Sequence, residues 1–274
     1  MAINIFQIYY DDATRQTLDP GFIPLDNRNP ERPDWFEFWP IRKLLTETRL
    51  SDNSWYGVVS PRFGAKTGFS SSYVKEALEA HGEHADVALF SSTWDFIAYY
   101  RNVFEQGEVW HEGITTVAQQ FYDTIGHAVN LSQLVHYSKN SVTSNYIIAK
   151  PSFWRRWLHF ANKLVEVSES QTPLGSVLRG DTTYGPKAIP FKVFIQERLA
   201  PVMLATEPHR VLVPDQSYSR PLFTALFHDD LSTRKKLQTC DMLKELYTTT
   251  GDADYLNTYL KVKQTIPIKP TKFR

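Results

Sequence analysis

The chain has 274 residues, 42% hydrophobic and 14% aromatic, enough to bury the core of one large domain. Lysine plus arginine and aspartate plus glutamate number 30 each, and this balance argues against a dedicated nucleic-acid-binding protein, which normally carries a basic excess. The single cysteine, Cys240, excludes a disulfide framework and a cysteine-based zinc site.

The sequence shows no sign of export or membrane insertion. Residues 1–6 have no basic region and no small-residue cleavage site, so we expect no signal peptide. No window approaches the roughly 20 apolar residues that a membrane-spanning helix needs. We therefore expect a cytoplasmic protein.

The N-terminal region predicts a strand, a long loop and a helix. Ile3–Tyr9 alternates and is rich in β-branched and aromatic residues, which favours a strand. Residues 18–34 contain several prolines, aspartates and asparagines, so we expect an irregular loop there. A loop of this length in a compact domain is often functional. Asp34 is then expected to cap a helix that begins at the end of this loop.

A second strand is predicted at residues 56–60, followed by a polar turn. Residues 61–68 contain Arg62, Lys66, a threonine and two glycines, and a helix is expected from about Ser70. Cations and glycines between a strand and a helix can bind an anion, although an ordinary solvated turn has the same composition. The glycine spacing excludes a phosphate-binding loop of the P-loop type.

A third strand is expected at residues 86–91. Asp95 would lie just past its carboxyl end, where α/β sheets place their chemistry. The amphipathic pattern of residues 114–125 predicts a helix that serves packing only. A fourth strand is expected at residues 146–149, with Asn145 at its entrance and a helix after Lys150. A substrate contact at Asn145 and a core strand without any site both fit this pattern.

The C-terminal part predicts further helices. Residues 191–205 have the spacing of one helix that contains Glu197 and is bent at Pro201. A late strand is expected at residues 211–213, and two helices at residues 231–247 and 254–263. The chain contains no repeat and no clear linker, so we expect a single domain.

Several common site motifs are absent. His81 and His84 lack the spacing of a zincin, and the His228-Asp229-Asp230 run lacks the oxygen-rich pattern of a calcium loop. No Gly-x-Ser-x-Gly elbow supports a serine hydrolase, and no Gly-x-Gly-x-x-Gly follows the first strand. The remaining candidates are polar residues at predicted strand ends and one helical carboxylate. They are Gln7, Tyr9, Ser60, Arg62, Lys66, Asp95, Asn145, Lys150 and Glu197.

Three segments together resemble bacterial glycosyltransferases of the GT-A type that serve surface-polysaccharide assembly, such as capsule or O-antigen synthesis. Residues 56–63 (Tyr-Gly-Val-Val-Ser-Pro-Arg-Phe) are similar to a strand that ends in an arginine-containing motif. Residues 144–154 (Ser-Asn-Tyr-Ile-Ile-Ala-Lys-Pro-Ser-Phe-Trp) are similar to an acceptor-side strand and helix. Residues 191–199 (Phe-Lys-Val-Phe-Ile-Gln-Glu-Arg-Leu) are similar to the late helix with a Glu-Arg-Leu core.

The resemblance implies an α/β fold, namely a single mixed-sheet, GT-A-like (Rossmann-like) domain. Helices would cover both faces of the sheet, and the C-terminal region would be helical. Residues 1–274 would form one domain, in which residues 1–140 are the nucleotide-sugar half. Residues 141–274 would form the acceptor half and the C-terminal helices.

The resemblance also implies roles for the candidate residues. Donor binding would fall to Gln7, Tyr9, Ser60, Arg62 and Lys66. Substrate contacts would come from Asn145, Tyr146 and Lys150. Asp95 and Glu197 are the two candidates for the catalytic base, and Asp95 is favoured because it should lie at a strand end. Glu197 has a structural ion pair with Arg198 as its alternative role.

One departure from the family pattern concerns the metal. The expected Asp-x-Asp motif, which holds a divalent ion on the donor diphosphate, is replaced by residues 90–95, Phe-Ser-Ser-Thr-Trp-Asp. Either Arg62 and Lys66 neutralise the diphosphate, or Mn²⁺ or Mg²⁺ binds elsewhere. A non-catalytic carbohydrate- or partner-binding protein on the same fold, and another α/β enzyme such as a hydrolase or nucleotidyltransferase, are the alternatives.

The expected partners are a nucleotide sugar and a glycan acceptor, with no nucleic acid. The resemblance leaves open a peripheral association with the inner membrane. It also leaves open the oligomeric state, the donor sugar, and whether the reaction inverts or retains configuration.

Overall fold

The computed structural model describes residues 2–182, 189–215 and 221–269. Its strands form one six-stranded sheet and one two-stranded ribbon, and the ribbon pairs β6 with β7. In chain order the strands are β1 Ile3–Tyr9, β2 Ile23–Asp26, β3 Trp55–Val59, β4 Val87–Leu89, β5 Ile147–Ala149, β6 Asp181–Thr182, β7 Ile189–Pro190 and β8 Val211–Leu212.

The large sheet is mixed, with the strand order β2-β1-β3-β5-β4-β8. β1 is parallel to β2 and β3, and β4 is parallel to β8, whereas β5 is antiparallel to both β3 and β4. The residues that enter β5 therefore lie at the same edge of the sheet as the carboxyl ends of the other five strands. This edge carries the candidate site.

Helices occupy most of the connections between strands. They are α1 Asp12–Gln16, α2 Phe38–Glu47, α3 Phe63–Thr67, α4 Ser71–His81, α5 Trp94–Tyr99, α6 Val103–Glu108, α7 Ile114–Thr124, α8 Pro151–Glu169, α9 Pro173–Arg179, α10 Phe191–Gln196, α11 Leu199–Thr206, α12 Leu231–Thr250 and α13 Ala253–Gln264. Among the described residues, no helix has the length and apolar composition needed to cross a membrane.

Successive residues of the buried strands face opposite sides of the sheet, as the pleat requires. Val58 packs into a large core that α2, α7, α8 and α11 cover, and Val59 packs into a smaller core against α3 and α4. A third apolar cluster joins α5 to α12 and α13, and it includes Leu237 and Tyr259. The predicted α/β class, with a mixed sheet and helices on both faces, is therefore confirmed.

Three local predictions are wrong. Residues 18–34 are not wholly irregular, because they contain β2 at the sheet edge. Asp34 does not cap a helix; it lies in a 3₁₀ turn, where it accepts hydrogen bonds from Arg32 and Lys192. Residues 63–67, expected as part of a turn, form helix α3.

The predicted helix over residues 191–205 is divided into α10 and α11, and the break lies before Pro201. At the break, the buried Arg198 side chain turns inward, and its guanidinium donates to the carbonyl oxygens of Phe194 and Val103 at 2.7 and 3.0 Å. A buried guanidinium needs such acceptors. The contact with Val103 therefore stabilises a turn at Glu197 and Arg198 instead of a continuous helix.

Candidate active site

A cleft of about 780 Å³ lies at the carboxyl edge of the sheet. It is bounded by residues 92–96 after β4, residues 142–144 before β5, the turn between α10 and α11, and residues 221–225. Ligand sites in α/β proteins form at this edge of the sheet, and a volume of this size is typical of a small-molecule pocket.

Aromatic rings form much of the wall of the cleft. Phe96 and Phe223 meet edge to face, with ring centroids 4.9 Å apart, and hold the two sides of the wall together. Flat apolar rings beside polar groups suit the faces of sugar rings as well as other amphipathic ligands. The aromatic residues that line the cleft are Trp94, Phe96, Trp110, Phe194 and Phe223.

The segment before β5 is held in a strained conformation. Ser144 and Asn145 have φ angles of 63° and 53°, in the left-handed region that non-glycine residues seldom adopt. Hydrogen bonds across the cleft floor fix this segment, since the backbone N–H groups of Ser92 and Thr93 donate to the Thr143 hydroxyl at 3.0 and 3.2 Å. The conformation is therefore imposed by the surrounding structure.

Asn145 links this strained segment to the turn between α10 and α11. Its amide nitrogen donates to Oε1 of Gln196 at 2.8 Å. Its Oδ1 atom is buried and accepts no hydrogen bond within the described part of the chain. Asn145 directly follows Ser144, which lines the cleft, and its amide N–H group holds the residue that precedes Glu197.

Glu197 and Lys66 belong to the same cleft, and the charge of Lys66 acts on the Glu197 carboxyl group. Glu197 lies between α10 and α11, Lys66 lies on α3, and both side chains line the cleft. Burial raises the pKa of Glu197, and the carboxylate of Glu37 acts in the same direction. The charges of Arg198 and Lys66 oppose this shift. A carboxyl group with a raised pKa at a cleft is the arrangement expected of a general base or acid.

A second carboxyl group, that of Glu37, lies close enough to Glu197 for its charge to act on it. The hydroxyl of Tyr10 donates to Glu37, burial raises the pKa of Glu37, and the charge of Lys66 lowers it. Phe36, directly before Glu37, has a φ of 49°, a conformation that costs about 1–3 kcal/mol for such a residue. Tyr10 and Glu37 were not among the predicted site residues, although Tyr10 directly follows the first predicted strand.

Ser60 and Tyr146 connect the ends of neighbouring strands at this edge. Their hydroxyl oxygens are 2.6 Å apart, and both residues are buried. Lys66 Nζ lies 5.8 Å from the centroid of the Tyr146 ring. Burial raises the pKa of Tyr146, and the positive charge of Arg62 opposes that shift. The structure therefore brings Ser60, Arg62, Lys66 and Tyr146 together near Glu197.

Gln7 and Tyr9 do not line the cleft. Both ends of the Gln7 amide are used, because Nε2 donates to the carbonyl oxygen of Ser60 at 3.2 Å and Oε1 accepts from the Asp19 N–H at 2.8 Å. Gln7 and Arg62 line a separate pocket of about 490 Å³. Tyr9 lies under the guanidinium of Arg28, 5.4 Å from its ring centroid.

Asp95 lies on the cleft wall, but its carboxylate is already occupied. It accepts the backbone N–H groups of Phe96 at 3.0 Å and Phe223 at 2.5 Å. Burial raises the pKa of Asp95, whereas these hydrogen bonds lower it. Asp95 therefore anchors residues 221–225 to α5.

Lys150 lies at the opposite edge of the sheet. Because β5 runs antiparallel to its neighbours, the residue that follows it is far from the edge that Asn145 occupies. The Lys150 ammonium group lies 5.5 Å from the centroid of the Trp55 ring, at the start of β3. The structure does not bring Lys150 to the cleft.

The described residues contain no group of three or more histidine, cysteine, aspartate or glutamate side chains placed to hold a metal ion. Near the site, positive charge is supplied by Lys66 and Arg62. The chain matches no family model, no curated protein and no solved structure.

Proposed function

We propose that this protein is a glycosyltransferase that moves a sugar from a nucleotide-sugar donor to a polysaccharide or glycolipid acceptor in surface-glycan assembly. One observation carries the proposal. Glu197, a carboxyl group whose pKa is raised, shares an aromatic-walled cleft at the carboxyl edge of the sheet with the cation Lys66. Transfer of a sugar from a donor with an anionic leaving group needs three elements. They are a base for the acceptor hydroxyl group, a positive charge near the leaving group, and walls that accommodate a sugar.

In the proposed reaction, a hydroxyl oxygen of the acceptor attacks the anomeric carbon of the donor sugar. The bond between that carbon and the diphosphate oxygen breaks, and the diphosphate leaves with the electron pair. Glu197 accepts the proton of the hydroxyl group. This assignment favours Glu197 over Asp95, because the Asp95 carboxylate is bonded to two backbone N–H groups.

Lys66 and Arg62 are proposed to stabilise the negative charge that develops on the leaving diphosphate. Positive groups placed where charge develops lower the barrier to reaction. Lys66 lines the 780 Å³ cleft, and Arg62, four residues earlier, lines the separate 490 Å³ pocket. A donor that spans these two cations would place its sugar in the cleft beside Glu197.

The proposal is tested by donor binding and by sugar transfer. Purified protein is mixed with UDP-, GDP-, TDP- and CMP-sugars at millimolar concentration, with and without Mn²⁺, and its melting temperature is measured. A donor at about 100 times its Kd stabilises the folded state by about 2.7 kcal/mol. The expected result is stabilisation by one donor class, with a smaller shift for Lys66→Met and an unchanged shift for Lys150→Met.

The same donor is then incubated with acceptor glycans, and products are followed by mass spectrometry. Failure of every donor to shift the melting temperature would overturn donor binding. A non-catalytic binding protein would be favoured if the donor binds without sugar transfer and the Glu197→Gln variant still performs the function of the protein in cells. Donor turnover with water alone would indicate a hydrolase.

A further inference from the structure

A surface beside the mouth of the cleft exposes single apolar side chains among lysines. Leu231, Ile268 and Phe223 are 66%, 49% and 39% exposed. We call this surface the basic apolar patch, and its residues are Phe223, Leu231, Lys235, Lys236, Ile268 and Lys269.

Contacts between two chain segments make the patch continuous. Phe227 and Ile268 form an antiparallel bridge, and the Lys269 N–H donates to the carbonyl oxygen of Leu226 at 2.9 Å. The Lys269 ammonium group reaches the carbonyl oxygen of Thr224 at 2.7 Å. Residues 224–227 therefore lie beside residues 268–269, and the Lys236 ammonium group reaches the carbonyl oxygen of Thr265 at 2.8 Å.

The nearby aspartates, Asp229 and Asp230, pair with groups other than the lysines of the patch. Asp229 pairs with Arg234 at 2.7 Å, and Asp230 caps α12 by accepting from the Thr233 N–H at 2.8 Å. Lys236 and Lys269 donate to carbonyl oxygens, which carry no net charge. Lys235 is exposed and makes no ion pair within the described ranges.

We propose that the basic apolar patch docks the protein on an anionic lipid bilayer. Lysines attract the negative surface of such a bilayer, and exposed apolar side chains enter the boundary between headgroups and acyl chains. The three apolar side chains lie on separate elements: Phe223 on a loop, Leu231 at the start of α12, and Ile268 after α13. This arrangement suits shallow insertion into a bilayer better than the binding of a partner helix. The positive charge selects anionic over neutral lipid.

The position of the patch indicates which kind of acceptor the proposed glycosyltransferase would use. Phe223 and Thr224 also line the cleft, so its mouth would open next to the bilayer surface. A lipid-linked acceptor could then reach Glu197 without leaving the membrane. This choice of acceptor rests on the proposed function, whereas membrane docking by the patch does not.

The test is sedimentation of the protein with phosphatidylcholine vesicles, with and without phosphatidylglycerol. We expect binding only with phosphatidylglycerol, and weaker binding in high salt. Lys235→Glu should weaken binding at least about fivefold, since each lysine near an anionic surface contributes about that factor. Leu231→Glu should weaken binding about tenfold or more, because an apolar contact is replaced by a charge that the surface repels.

Matched controls are Val177→Glu, an apolar side chain that is 41% exposed on α9, and Arg49→Glu, an exposed cation after α2. Both should bind vesicles like the unchanged protein. Absence of binding to phosphatidylglycerol vesicles, or equal loss in the controls, would overturn the proposal. Light scattering that shows a dimer broken by Leu231→Glu would instead identify the patch as a protein interface. Donor-induced stabilisation, measured without vesicles, shows separately whether the proposed function holds.

Discussion

Glu197, which is half-buried, and Asp95, which is buried, both line the cleft, and substitution by the isosteric amide separates their roles. In Glu197→Gln the base is lost while the shape of the side chain is kept. Removal of a general base lowers kcat by about 10²–10⁴-fold. Because folding raises the pKa of Glu197, its ionised form destabilises the folded state above the ordinary glutamate pKa. The melting temperature of Glu197→Gln should therefore stay the same or rise.

Asp95→Asn should have the opposite effect. The carboxylate accepts two backbone N–H groups, from Phe96 and Phe223, and an asparagine offers only one oxygen to them. One partly buried N–H is then left without an acceptor, at a cost of about 1 kcal/mol. In a chain of this length, each kcal/mol lowers the melting temperature by about 2–4 °C. Activity per folded molecule should fall only a few-fold.

The two variants are compared by thermal unfolding and by initial rates of sugar transfer at saturating donor. The expected outcome is a stable, inactive Glu197→Gln and a destabilised, active Asp95→Asn. An active Glu197→Gln together with an inactive but stable Asp95→Asn would refute the assignment, and would make Asp95 the base. Transfer should also increase with pH through the raised pKa of Glu197, since only the ionised form accepts a proton.

Three further predictions concern residues around the same cleft and in the core. Lys66→Met should lower kcat/KM for the donor at least about tenfold, because it removes one cation from the leaving group, whereas Lys150→Met should leave it unchanged in the same kinetic assay. Asn145→Gly keeps the left-handed backbone but releases Gln196, so kcat should fall more than KM changes. Burial holds the pKa of His136 at about 3, below the ordinary value of about 6.5. Its contribution to stability is present above about pH 6.5 and is lost as the pH falls. Between pH 7 and pH 5 this one group accounts for a loss of about 2 kcal/mol in the free energy of unfolding measured with urea. His136→Gln should reduce that pH dependence, and an unchanged slope would contradict the assignment to this histidine.

The buried strands could be predicted well because their residue types and alternation reflect local physics. Trp55–Val59 is buried along its whole length, and the predicted strand at residues 56–60 matches it to within one residue. β2 was missed because it is a largely exposed edge strand that contains Pro24. A proline is tolerated at an edge, where its missing N–H breaks no pairing, so the sequence signal there is that of a turn.

The site could be predicted only in part, because its geometry depends on contacts between distant segments. Asn145 and Lys150 flank the same strand, and only the antiparallel direction of β5 separates their positions. The turn that presents Glu197 depends on the bond from Arg198 to the carbonyl oxygen of Val103, 95 residues earlier. Neither strand order nor this contact leaves a local pattern in the sequence.

The position of β5 has a consequence for synthesis of the chain. This strand comes from the middle of the sequence, yet it lies between β3 and β4 and pairs with both. A nascent chain that has emerged only as far as residue 140 would expose unpaired edges on β3 and β4. Unpaired edges are sites of aggregation, and the gap between β3 and β4 closes only after about the first 150 residues have emerged. Ribosome-bound chains shorter than this should depend on chaperones far more than longer ones.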